Sequence, residues 1–169
     1  MDRRAEESSF DISFMVQALQ QAQEAAREDE IPVGALIVRN NVVIAKGRNQ
    51  REALQDPTAH AEVFALKQTT SALKSWRLND CTLYVTLEPC IMCVGAILQA
   101  RIARLVFGCL DPKAGAVESL YRMCEDARLN HRVEVSRGIL DHECAEILEN
   151  FFSDLRRAKK LTRYLSSQT

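Results

Sequence analysis

No stretch of this 169-residue chain is both apolar and long enough to cross a bilayer. The longest uncharged run, around Pro89 to Ala100, falls well short of the roughly 20 residues a spanning helix requires. The first fifteen residues, MDRRAEESSFDISFM, are broken up by charges and lack the apolar centre of a secretory signal. Also missing are an internal repeat, a low-complexity tract and a linker. Charge of one sign is not in excess either: the formal net charge is -1, which gives no general attraction to nucleic acid. These absences argue for a soluble cytoplasmic protein with no membrane association. At 47% hydrophobic content the length suits one domain with a sizeable core. Residues 11–163 are expected to form that domain, with a flexible N-terminus at 1–10 and a flexible tail at 164–169.

The charges that are present are unevenly placed. All 23 acidic side chains and 17 of the 22 basic ones lie in residues 1–155, whereas Arg156, Arg157, Lys159, Lys160 and Arg163 crowd into eight positions. Taken alone this run fits a solvated helix face, and any RNA contact would have to use such a local patch. Six cysteines (Cys81, Cys90, Cys93, Cys109, Cys124, Cys144) in a chain without a secretory signal point to reduced thiols, and a C-x-x-C among them to metal or redox chemistry.

Hydrophobic periodicity gives the elements. Met15, Ala18, Leu19, Ala22 and Ala25 or Ala26 recur at helical spacing and predict a helix from about Ile12 to Arg27. Val33 to Val38 and Val42 to Ala45 read as a hairpin around Arg39-Asn40-Asn41. A helix carrying His60 and Glu62 follows, with Thr58 as its expected cap. Thr82 to Thr86, Pro89 to Ala100 and Leu105 to Phe107 read as strand, helix and strand, a βαβ crossover that demands a parallel pair. A short helix near Val117 to Cys124, a strand at Val133 to Val135 and a long C-terminal helix striped by Cys144, Ile147, Leu148, Phe151 and Leu155 complete the chain. The fold class is α/β, a three-layer α/β/α arrangement around a mixed five-stranded sheet.

Chemistry gathers at two of these helix starts. Cys90 and Cys93, three apart, share one helix face, and Pro89 suits the first helical position. The positive end of the helix lowers thiol pKa, so both sulfurs are expected to ligate as thiolates. His60 supplies a third ligand, and an N/S donor set favours zinc. Three protein ligands leave a fourth position for water, the mark of a catalytic site. Glu62, two residues beyond His60, is placed to move protons to and from that water. H-x-E followed by P-C-x-x-C is the signature of zinc nucleobase deaminases. The blander reading is a core histidine beside two buried thiols with a helix-surface carboxylate. Cys81, Cys109 and His131 remain candidates for a closing fourth ligand, which would make the chain a zinc-stabilised RNA-binding subunit without catalysis.

The segments IPVGALIV, GRN, DPTAHAEVFAL, LYVTLEPCIMCVGAIL, FGCLDPKAGA and NHRVEV, with GIL and FF near the end, resemble the bacterial tRNA-specific adenosine deaminases, and the similarity runs from about residue 11 to 160. The resemblance implies a cytidine-deaminase-like fold, a homodimer and one Zn2+ per chain. It also implies conversion of the wobble adenosine, position 34 in the anticodon stem-loop of an arginine tRNA, to inosine. It assigns Asn49 to the target base, and Asp111, Lys113, Asn130, His131, Phe152 and Arg156 to RNA contacts. The chain departs from the usual family loop at Ala114 and at Val117-Glu118. A deaminase of free guanine or of a small nucleoside would use the same metal machinery without needing the basic C-terminal helix.

Overall fold

The computed structural model describes the backbone of residues 3–166 and the side chains of residues 9–164 and 166. A five-stranded sheet of order β2-β1-β3-β4-β5 forms the middle layer. Its strands are β1 (Gly34–Arg39), β2 (Val42–Arg48), β3 (Thr82–Leu87), β4 (Arg104–Cys109) and β5 (Glu134–Arg137). The helices are α1 (Arg3–Arg27), α2 (Arg51–Leu54), α3 (Ala61–Leu73), α4 (Ile91–Gln99) and α5 (Asp141–Ser166). No helix among the described residues is long and apolar enough to cross a membrane.

The period of two along each strand sorts side chains between the two helical layers. Ala35, Ile37, Leu83, Val85, Leu105 and Phe107 face one core, shared with Ala61, Ala65 and Leu66 of α3 and Val94, Ile97 and Leu98 of α4. Leu36, Val38, Tyr84 and Val106 face the other, where Phe14, Met15 and Ala18 of α1 and Cys144 of α5 cover them. The expected stripe of α1 is fully buried at Met15, Ala18, Ala22 and Ala25.

The hairpin turns at Asn40 and Asn41, both with positive φ (51° and 59°), and pairs Arg39 with Val42. Two left-handed residues are what a type I′ turn needs, and asparagine tolerates that region. β1 pairs antiparallel with β3, while β3–β4 and β4–β5 are parallel, so the crossover argument holds.

Several boundaries differ from expectation. α1 begins at Arg3 and not at Ile12, inside the segment expected to be loose, because residues 3–11 contain no Gly or Pro to stop it. α5 likewise continues to Ser166. Its 26 residues span about 39 Å at 1.5 Å per residue, more than the sheet beneath it can cover. Leu155, expected in the apolar stripe, is accordingly 38% exposed. Thr58 does not cap α3: its amide and hydroxyl both go to Asp56 Oδ1, at 2.8 and 2.7 Å, and His60 holds the N-cap position. Pro89 precedes α4 and does not open it, since Cys90 is the N-cap. In place of the expected helix, residues 116–119 form a turn and 120–122 run irregularly into a 3₁₀ turn at Met123–Glu125. The short helix α2 has no buried residue and so no periodicity to betray it.

Candidate active site

The sheet delivers its ends to one edge. β3 finishes at Leu87 and the chain passes through Glu88 and Pro89 into α4. Because β1 runs antiparallel to β3, the start of β1 lies beside that same end, and the Gly34 amide donates to Thr86 Oγ1 at 3.2 Å. β2 pairs with β1 so that Arg48 stands opposite Gly34, which brings Asn49 to this edge as well. Its amide donates to Val33 O at 3.1 Å. The crevice beyond the carboxyl ends of parallel strands is where open α/β sheets bind ligands.

Here the N-termini of α3 and α4 meet. His60 Nδ1 lies 3.7 Å from Cys90 Sγ and 3.5 Å from Cys93 Sγ. Zn–N bonds of about 2.0–2.1 Å and Zn–S bonds of about 2.3 Å at a tetrahedral angle separate N from S by about 3.6 Å, so the three donors fit a zinc ion. They form the one such donor cluster among the described residues. Cys81, Cys109 and His131 are engaged elsewhere: Cys81 Sγ with Asp80 Oδ1, Cys109 Sγ with Thr86 O, and His131 Nε2 with Ile102 O at 2.7 Å. Among the described residues no fourth protein ligand closes the cup.

Proton affinities in the cup follow from its geometry. The hydrogen bond from Cys93 and the contact with His60 bring the Cys90 thiol down to about 3, against the opposing effect of burial. Cys93, as the donor to Cys90 and itself buried, is driven upward. His60 is raised, first by its bond to Cys90. The three ligands thus hold a proton among them at a point where a dication can replace it.

Glu62, the second residue of α3, is 4% exposed, and burial raises its pKa. It lines a pocket of about 160 Å³ with Asn49, Arg51, His60, Cys90, Asp111 and others. Four of the residues singled out in the sequence (Asn49, His60, Glu62, Asp111) therefore share one cavity wall with Cys90. Lys113 is exposed on the loop that carries Asp111. Asn130, His131, Phe152 and Arg156 lie outside the pocket lining, with Phe152 39% exposed.

At this edge of the sheet two buried carboxylates, Glu30 and Glu88, went unread in the sequence. Glu30, fully buried, accepts from Asn49 Nδ2 at 3.2 Å and from the Ala53 amide at 2.8 Å. An acceptor-only group thus fixes the Asn49 amide, leaving its Oδ1 and one N–H for a ligand. Glu88, 2% exposed, accepts from the loop at 111–119. Burial raises its pKa, but hydrogen bonds from Ser119, Glu118 and Asp111 outweigh that and leave it lowered. A charged residue between an apolar strand and Pro89 was the available signal.

An N,S,S donor cup with a buried carboxylate beside it, set on this sheet order, is the equipment of the hydrolytic nucleobase deaminases. Residues 9–156 match the MafB19-like deaminase family. The chain belongs to the tRNA-specific adenosine deaminases. It is 45% identical over 168 residues to the Haemophilus influenzae tRNA-specific adenosine deaminase, covering 98% of this chain and 96% of that one. It is 42% identical to the Bacillus subtilis protein of the same name, over 90% of this chain and 95% of that one. A solved structure from work on A-to-I editing by tRNA:A34 deaminases superposes with a TM-score of 0.78 at 46% identity, covering 80% of this chain and 99% of that chain. Its cytidine-deaminase-like fold is the fold described above.

Proposed function

We propose that this chain converts adenosine to inosine at the wobble position, 34, of the anticodon of an arginine tRNA, releasing ammonia. The observation that carries the reading is the single pocket in which a three-donor cup, a buried Glu62 and an oriented Asn49 converge. His60, Cys90 and Cys93 would hold one zinc ion, which polarises water and lowers its pKa when bound. Glu62 takes one proton of the attacking water and delivers it to the ring nitrogen beside the attacked carbon, then takes the second proton from the hydroxyl on that carbon and passes it to the departing amine as the C–N bond breaks and the carbonyl forms. Its burial supports this role, because a raised carboxyl pKa shortens the gap between accepting and returning a proton. Asn49 reads the base edge with the groups Glu30 leaves available to it.

Asp111, Lys113, Asn130, His131, Phe152 and Arg156 contact the anticodon stem-loop, and the basic run on α5 adds phosphate contacts. Asp111 Oδ1 already accepts from the amides of Lys113 and Ala114 at 3.0 and 3.2 Å, so its other oxygen is the one to meet a ribose 2′-hydroxyl. The chain acts as a homodimer in the cytoplasm. An apolar groove between α3 and α4, lined by Val63, Leu66, Trp76, Ala96 and Ala100, supports the pairing.

The deciding experiment is mass analysis of tRNA incubated with the purified protein. Adenosine to inosine adds about one dalton at one nucleotide, an amine being replaced by an oxygen. No mass change on tRNA, alongside turnover of free guanine or adenosine, replaces this reading with that of a small-molecule deaminase.

A further inference from the structure

Glu88 is a buried carboxylate outside the three-donor cup that borders the same pocket, and its side chain takes all of its hydrogen bonds from one segment. Its Oε1 accepts from the amides of Val117, Glu118 and Ser119 at 3.1, 2.7 and 2.9 Å. Its Oε2 accepts from the Asp111 amide at 3.0 Å and from the Ser119 hydroxyl. The segment 111–119 is thus wound around one side chain. Gly115, at the middle of the winding, has no room for a Cβ because the Glu88 carboxylate occupies that space. Two further bonds tie the segment to the start of α4: Gly115 bridges to Cys90, and the Ala116 amide donates to Pro89 O at 2.9 Å.

The first half of this segment is pocket wall, since Asp111 and Ala114 line the cavity that holds Glu62 and Asn49. We propose that Glu88 is a positioning residue for substrate, which sets the Asp111 side of the pocket by holding the Asp111 amide. The proposal rests on the reading of this cavity as the site that takes the target nucleoside. All five donors to the carboxylate belong to the 111–119 segment and none to α4, so the side chain holds the pocket-bearing loop and not the helix that follows it.

The geometry makes Glu88→Gln a selective test. A glutamine offers one acceptor oxygen and one donor nitrogen. Placed at the Oε1 position, the nitrogen would confront three amide donors. Placed at Oε2 it confronts the Asp111 amide alone, because the Ser119 hydroxyl can turn and accept. E88Q therefore releases Asp111 and keeps the 117–119 end of the loop.

Amide hydrogen exchange, zinc content and steady-state kinetics on an anticodon stem-loop are compared for wild type and E88Q. Expected is one zinc per chain in both, with Asp111 amide exchange faster by about tenfold and the amides of Val117, Glu118 and Ser119 still protected. KM is expected to rise by about tenfold, the worth of one hydrogen bond, with kcat within about threefold. Gly115→Ala reaches the same contact from its other face, so it should give the same KM defect with zinc retained. Unchanged Asp111 exchange in E88Q overturns the proposal, as does a loss confined to kcat or accompanied by loss of zinc. A wild-type protein inactive on the stem-loop overturns the pocket reading instead, and the exchange data then still decide whether Glu88 holds the loop.

Discussion

Glu62 and His60 stand two residues apart at the start of one helix, yet they face different tasks, and burial separates them. Glu62 is almost fully enclosed and its proton affinity is raised, whereas His60 is half-buried and turned toward two sulfurs. Glu62→Gln keeps the size and removes the proton acceptor, so zinc content and fold are expected to persist while turnover falls by about 10²–10⁴. Single-turnover rates with the zinc content of the same sample check this, and near-normal turnover removes Glu62 from the mechanism. The other thiols form a contrasting group. Burial pushes Cys81 and Cys109 up to about 11, and Cys124 and Cys144 up to about 12. All four therefore stay protonated, and unreactive, at neutral pH. Alkylation followed by peptide mapping is expected to modify Cys90 only after chelation, and Cys93, buried and driven upward, only on unfolding together with the remaining four. Labelling of Cys124 or Cys144 in the folded protein contradicts the burial argument.

At the scale of elements, α5 divides into two parts. Its first half packs on the sheet through Cys144 and Leu148, and its second half carries the basic run beyond the sheet. Arg156, Arg157, Lys159, Lys160 and Arg163 are exposed, and the neighbouring ion pair of Arg157 with Asp154 is a surface contact at 3.5 Å. Neutralising Arg156, Arg157, Lys159 and Lys160 is expected to weaken tRNA binding and flatten its salt dependence, because fewer counterions are released. Thermal stability should change little, since exposed pairs contribute at most about 1 kcal/mol. An unchanged slope of log Kd against log salt returns the run to a solvated face.

Across the whole molecule the two ends of the sheet carry different loads. The carboxyl end of β3 holds the pocket. At the opposite end a buried cluster locks α1 to the sheet: Arg104 donates twice to Asp11, at 2.9 and 2.7 Å, and once to Ser136, while Tyr84 donates to Asp11 at 2.8 Å. Asp11 and Arg104 side chains are 7% and 24% exposed. Asp11→Ala removes both carboxylate bonds of Arg104, leaving it Ser136 and Glu134, and takes the acceptor from the Tyr84 phenol in a partly buried site, for an expected loss on the order of 3 kcal/mol. Asp11→Leu with Arg104→Met removes both charges and should recover most of that loss. Denaturant titration of the three proteins measures it, and a loss under about 1 kcal/mol for Asp11→Ala would show that water reaches the pair.

How much of this was legible in the chain depends on the range of the interaction. The strand and helix types, the hairpin and the parallel crossover follow from periods of two and 3.6, from Asn40-Asn41 and from chain handedness, all of which act within about thirty residues. The donor set of His60, Cys90 and Cys93 could be read because ligand chemistry is written in residue type and short spacing. The helix starts at His60 and Cys90, the turn at 116–119 and the roles of Glu30 and Glu88 could not. The two carboxylates in particular depend on which donors a distant segment brings to a side chain, and that is settled only when β1, β3 and the 111–119 loop are packed together. Sequence alone determined the chemistry this protein can hold. The tertiary structure decided that Asn49, Glu62 and Asp111 face one cavity, because burial and hydrogen-bond partners are properties of the packed sheet edge and not of any segment by itself.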